Sequence, residues 1–129
     1  MSPKKLTTDW VRERLLNSQD DQVVKKQKAA LQALKELIDG DNLMLAAKAV
    51  RVVGLMGLDE SVRIVAEAAK SRKPMLRLVA ATIAPQLKDK ARPILEHLLK
   101  SKDPSLLKWA MRSAQEIGMR PPEAVSNEG

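Results

Sequence analysis

Along most of this chain, apolar residues recur at the spacing of one helix face, and no segment alternates apolar and polar positions long enough to read as a strand. From Leu76 the apolar positions continue at Val79, Ala80, Ala84 and Leu87; from Leu106 they continue at Trp109, Ala110, Ala114 and Ile117. Both sets follow the order i, i+3, i+4, i+8, i+11, so each marks one buried side of a helix. The spacing predicts about seven helices, over 8–17, 21–38, 42–56, 60–70, 74–87, 90–100 and 104–117. Segment 42–56 is apolar on most sides, interrupted chiefly by Lys48 and Arg51, and segment 74–87 is similar, with Arg77, Thr82 and Gln86. Helices of that kind must be covered on most sides, which puts both in the middle of the fold. Segment 104–117, with Lys108, Arg112, Gln115 and Glu116, is expected to form a more polar end.

The two apolar sets lie 30 residues apart, and so do their surroundings. Asp59, Ile64, Val65, Ala68, Ala69, Lys70, Ser71 and Pro74 correspond to Asp89, Ile94, Leu95, Leu98, Leu99, Lys100, Ser101 and Pro104. An offset of 31 finds an earlier copy, with Leu45, Ala49, Val52, Val53 and Met56 standing for Leu76, Ala80, Ile83, Ala84 and Leu87. The extra residue falls in the Gly57-Leu58 turn, where an insertion costs little. Asp59, Asp89 and Asp103 stand where N-caps belong, and Pro74 and Pro104 suit a first helical position. Pro93 comes early enough that no helical hydrogen bond is lost. Pro85 comes late, and should bend or end its helix. Repetition at this period is the mark of stacked helical hairpins, each burying its apolar face on the next. The expected fold is therefore all-α, an α-solenoid. It would span one domain over 1–118, with a divergent first hairpin at 8–38, regular repeats over 42–117 and a flexible tail over 119–129.

The unit of Asp cap, short helix, polar turn, proline and alanine-rich helix resembles HEAT repeats, in particular the short kind of roughly 30 residues found in phycobilisome lyase subunits. Asp103-Pro104 fits that family's helix start, Lys73-Pro74 fits half of it, and Asp41-Asn42 lacks the proline. The resemblance implies alternating layers of first (A) and second (B) helices, with the B helices lining a concave interaction surface. It implies no single activity. HEAT-like proteins include bilin lyase subunits and a DNA glycosylase that works through tryptophans and an acidic residue in a basic groove, but no catalytic residue carries over from either.

Charge and composition narrow the choice of partner. The formal net charge is +7, from 23 basic and 16 acidic residues interspersed along the chain, which favours nucleic acid, an anionic membrane surface or an acidic protein. Phe and Tyr are absent, leaving only Trp10 and Trp109 for stacking on bases. Cysteine is absent, so disulfides and thiolate metal sites are excluded and a cytoplasmic location is expected. His97 is the one histidine, and no nucleophile elbow or glycine-rich phosphate loop occurs. No enzyme and no cofactor are expected. The first ten residues carry no apolar run, so no secretory signal is expected, and no stretch is long and apolar enough for membrane insertion.

The leading expectation is a non-catalytic protein-interaction or scaffold module that meets a protein partner through the exposed B-helix face, at Arg63, Glu67, Arg92, Glu96 and His97. The competing reading of that face is a solvated surface held by the pairs Arg63–Glu67 and Glu96–Lys100. The alternative function is a nucleic-acid-binding module. It would use a basic ridge at the turns between repeats, where Lys70, Arg72, Lys73, Lys100 and Lys102 would stack at a layer spacing of roughly 10 Å. Lysines in such places also simply favour the helix dipole. Lys25, Lys28 and Lys35 add a basic face on helix 21–38, suited to nucleic acid or anionic lipid. A bilin lyase-like subunit ranks third. Trp10 is expected to pack the first hairpin, Trp109 to face the core or the end of the stack, and Met44, Met56, Met75 and Met111 to fill the core.

Overall fold

A computed structural model describes residues 6–119, and over that span the protein is all-α. Its helices are α1 (Thr8–Leu16), α2 (Asp20–Val24), α3 (Lys28–Asp39), α4 (Leu43–Met56), α5 (Asp59–Ala69), α6 (Pro74–Ile83), α7 (Arg92–Leu98) and α8 (Pro104–Glu116), with a 3₁₀ segment, Ala84–Ala91, between α6 and α7. Most of the tail expected at 119–129 lies outside the described residues.

Every predicted helix has a counterpart, with two changes. The single helix expected over 21–38 is broken into α2 and α3, because Gln27 takes φ +50° and ψ −132°. The Gln27 side-chain amide closes this break by donating to the Val24 carbonyl at 2.9 Å. The second change falls where Pro85 predicts it: α6 stops at Ile83 and the chain continues as the 3₁₀ segment. Proline has no N–H to offer the carbonyl four residues earlier, that of Ala81. That carbonyl is not left empty. The buried Ser113 hydroxyl of α8 donates to it at 2.6 Å, joining α8 to the point where α6 loses its own bond. A second buried serine acts alike, with the Ser61 hydroxyl donating to the Val53 carbonyl near the end of α4 at 2.6 Å.

The caps are only partly those expected. Asp103 accepts from the Ser105 backbone N–H, and Thr7 and Asn42 cap α1 and α4 in the same way. Asp59 and Asp89 do not cap. Asp59 is already inside α5 and pairs with Lys90 at 3.0 Å, while Asp89 pairs with Arg92 at 3.7 Å. At the start of α5 it is the Ser61 hydroxyl that accepts, from the Leu58 N–H.

Helices α2, α4, α6 and α8 pack in succession, and on their other side α1 packs on α3 and α5 on α7. Helix α4 is the shared wall. Its Leu45, Ala49, Val52, Val53 and Met56 join the buried cluster that reaches α1, while Ala46, Ala47 and Val50 join the one that reaches α8. Gly54 lets α6 come close: a Cβ there would lie 2.5 Å from Cγ1 of Ile83. Met56 is buried as expected, but Met44 and Met75 are 58% and 45% exposed, since each is the second residue of its helix and lies short of the crossing. Positive φ recurs at Gln27, Gly57, Lys88 and Gly118, at the same offsets of 30 and 31 that relate the sequence copies. Lys88 is in this position nearly superposable in backbone angles on Gln27, at φ +56° and ψ −133°.

Three outcomes follow. Gly54→Ala forces the stiff, β-branched Ile83 aside and should lower stability by about 1–3 kcal/mol in urea unfolding, more than the helix-propensity gain of at most ~1 kcal/mol; in combination with Ile83→Ala, which removes both clashing γ-carbons, the loss should be smaller than the sum of the two single losses. Lys88→Gly should raise stability by about 1 kcal/mol, because glycine relieves a backbone conformation costly for other residues. The hydrogen bond and charge of Lys90, with a further pull from Lys28, hold the Asp59 carboxyl below its ordinary 3.8. A lowered folded value means that the pair's contribution is present above the ordinary carboxylate range and is lost as pH falls through that folded value. Lys90→Gln should move the Asp59 midpoint upward in an NMR titration.

Candidate functional site

Helices α3 and α5 both pack on α4 but share no close interface of their own. Between them lies a cleft of about 570 Å³, bounded by Lys35, Ile38 and Asp39 of α3, by Glu60, Arg63, Ile64, Glu67 and Ala68 of α5, and by Ser71, Lys73 and Leu76 beyond it. The floor is apolar: Ile64, Ala68 and Leu76 are buried and Ile38 half-buried. The rim is charged. Lys35, Asp39, Glu60, Arg63, Glu67 and Lys73 are all exposed, three of each sign.

The local chain explains this placement. Ile64 and Ala68 lie one turn apart and face inward, which sends Glu60, Arg63 and Glu67 to the adjacent, solvent-facing side of the same helix. On α3, Leu31, Leu34 and Leu37 are buried toward α1 and α4, leaving Lys35 and Asp39 at the open edge. Among the described residues, the ion pairs lie elsewhere: Arg12–Asp9, Arg14–Glu13, Arg51–Asp20, Lys90–Asp59 and Arg92–Asp89. The intrahelical pairs Arg63–Glu67 and Glu96–Lys100 do not close, so the six rim charges of the cleft stand ready in water rather than engaged with one another.

The expected B-helix surface therefore divides. Arg63 and Glu67 line the cleft. Arg92, Glu96 and His97 are exposed on α7 but stand outside it, and Arg92 is turned to Asp89. Of the basic residues, Lys35 and Lys73 come to the cleft, whereas Lys70, Arg72, Lys100 and Lys102 are exposed on the α5–α6 and α7–α8 turns. Those two turns are built alike. The Ser71 hydroxyl accepts from the Lys73 N–H at 3.1 Å, and the Ser101 hydroxyl accepts from the Asp103 N–H at 3.0 Å.

Lys25, Lys28 and Lys35 are all exposed, but they no longer lie on one continuous helix. Lys25 caps α2 and Lys28 opens α3, on opposite sides of the break at Gln27. Lys28 instead contributes to the field that lowers Asp59. Trp10 is half-buried against the N-terminal cluster, with Arg14 over its ring at 4.3 Å and Lys26 at 5.8 Å; Trp109 packs on the other cluster beneath Arg112, at 5.2 Å.

Neither Asp39 nor Glu60 is marked as a rim residue by the sequence pattern. The signal for both was the charge on either side of Ile38 and Ile64, which becomes meaningful only once α3 and α5 are known to face each other. Among the described residues no three His, Cys, Asp or Glu side chains gather as a metal site, and no helix is long and apolar enough to cross a membrane. No protein-family model matches the chain, and no curated protein matches it significantly.

Proposed function

We propose that this protein is a non-catalytic interaction module whose α3–α5 cleft receives a segment of a partner protein. The observation that carries the reading is the combination of a buried apolar floor with six exposed and mutually unpaired rim charges. An apolar anchor entering such a cleft is desolvated on several sides, while the rim selects charge and register. Rim charges already engaged with each other would have less to give.

The proposal includes the finer architecture, a HEAT-like solenoid in which α2/α3, α4/α5 and α6/α7 are successive hairpins and α8 begins the next. Two features support it. Four of the five positive-φ residues, Gln27, Gly57, Lys88 and Gly118, recur at the repeat offsets, with Ser18 the exception, and the polar ties Arg51–Asp20, Lys90–Asp59 and Ser113–Ala81 each join residues about one repeat apart. On this reading the cleft is a widened step between two B helices.

Arg63→Glu combined with Lys73→Glu should lower partner recovery at least about tenfold, because the two reversed rim charges would face like charges on the partner, with circular dichroism and melting temperature unchanged. A photo-cross-linker placed at Arg63 should capture the same partner that is lost in the double variant. Undiminished recovery by the variant would sink the cleft reading.

One observation favours nucleic acid as a second reading: the two basic turns share one hydrogen-bonded geometry, so they present Lys70, Arg72, Lys100 and Lys102 alike. Reversal of those four charges should then abolish a low-salt mobility shift with duplex DNA or RNA, and the wild-type shift should weaken steeply as salt rises.

A further inference from the structure

Among the described residues, helix α4 is flanked by α2 and α6, and α6 by α4 and α8, but α8 is flanked in this row by α6 alone. Its other side bears a shallow groove of about 400 Å³, lined by Pro104, Leu107, Lys108, Met111, Arg112 and Gln115. These six positions follow i, i+3, i+4, i+7, i+8, i+11, a single helix face. Leu107 and Met111 are half-buried at its centre, and Lys108 and Arg112 are exposed. We infer that this face is a docking strip for an acidic amphipathic helix of a partner protein, laid alongside α8 as α8 lies alongside α6.

Charge complementarity selects the occupant. The groove contains two cations and no carboxylate. Lys100 and Lys102 stand on the turn that leads into its Pro104 end, and the nearest acid there, Asp103, is engaged in accepting the Ser105 N–H at 3.0 Å. Arg112 has its guanidinium 5.2 Å from the Trp109 ring centre, which holds the group beside the groove while its N–H donors stay free for a carboxylate. A second copy of this chain is a poor occupant, since each copy brings a net +7 to the contact. An incoming helix with leucines on one side and glutamates along its flanks satisfies both features: its leucines cover Leu107 and Met111, and its carboxylates meet Lys108 and Arg112. This site is separate from the α3–α5 cleft and does not depend on it.

The test is an NMR titration of the full-length protein with a synthetic amphipathic helical peptide carrying leucines on one face and glutamates beside them. A control peptide has every glutamate replaced by lysine. The acidic peptide should shift the amide signals of Leu107, Lys108, Met111 and Arg112, with affinity that weakens as salt rises, and the basic peptide should shift none of them. Lys108→Glu with Arg112→Glu should weaken binding roughly tenfold or more, and Met111→Glu should remove it, with circular dichroism unchanged in both. Arg63→Glu with Lys73→Glu should leave it intact. Equal binding of the basic peptide, signal shifts confined to other helices, or contacts from residues 120–129 to Leu107 and Met111 would each overturn the inference. So would a dimer in analytical ultracentrifugation that Met111→Glu dissolves.

Discussion

A helix with almost no polar side has to be roofed on nearly every side, and α4 imposes that condition on the rest of the molecule. Water cannot be allowed onto Leu45, Ala49, Val52 and Val53 on one flank or onto Ala46, Ala47 and Val50 on the other. Helices α1, α2, α3, α5 and α6 therefore all pack against α4. The cleft is a by-product of this arrangement. Because α3 and α5 are each committed to the same central helix, they need no interface with one another. The gap between them is floored by side chains whose burial α4 and α6 already secure.

Backbone groups impose a second condition, met in an economical way. A proline inside a helical run and a helix that simply ends both leave carbonyls without a donor. Here two of them are filled by buried hydroxyls from a neighbouring element, Ser113 on Ala81 and Ser61 on Val53. Each such bond removes an unsatisfied group that would cost about 1–3 kcal/mol in the interior. It also fixes how far one helix can move along the other. Serine at these positions is thus part of the packing, although its chemistry alone would place it on a surface.

How legible this was from the chain depends on where the decisive force acts. Helices α4 and α8 could be read from apolar spacing, and the end of α6 from Pro85, because these are local effects written in single residues or regular intervals. The break at Gln27 could not be read. No glycine or proline marks it, and the apolar positions Val23, Ala30, Leu31 and Leu34 remain compatible with one continuous helix. Asp59 looked like a cap because its partner, Lys90, lies 31 residues away and is brought near only by tertiary packing. The site divided in the same manner. Arg63, Glu67, Lys35 and Lys73 could be nominated one by one from exposure, but their convergence on one cleft, and the exclusion of Arg92, Glu96 and His97, follow from how α3 and α5 splay over α4.

The close crossing at Gly54 has a mechanical consequence. With Ile83 seated against bare backbone, α4 and α6 interlock like a tongue in a slot, and the α8 bond to Ala81 pins the following step. Lengthwise shear along that row is therefore stiff. The opposite layer has no comparable lock between α3 and α5, so those two helices can separate with less loss of packing than the α4–α6–α8 spine can. Any guest that wedges those two helices apart would change their spacing while leaving the spine in register.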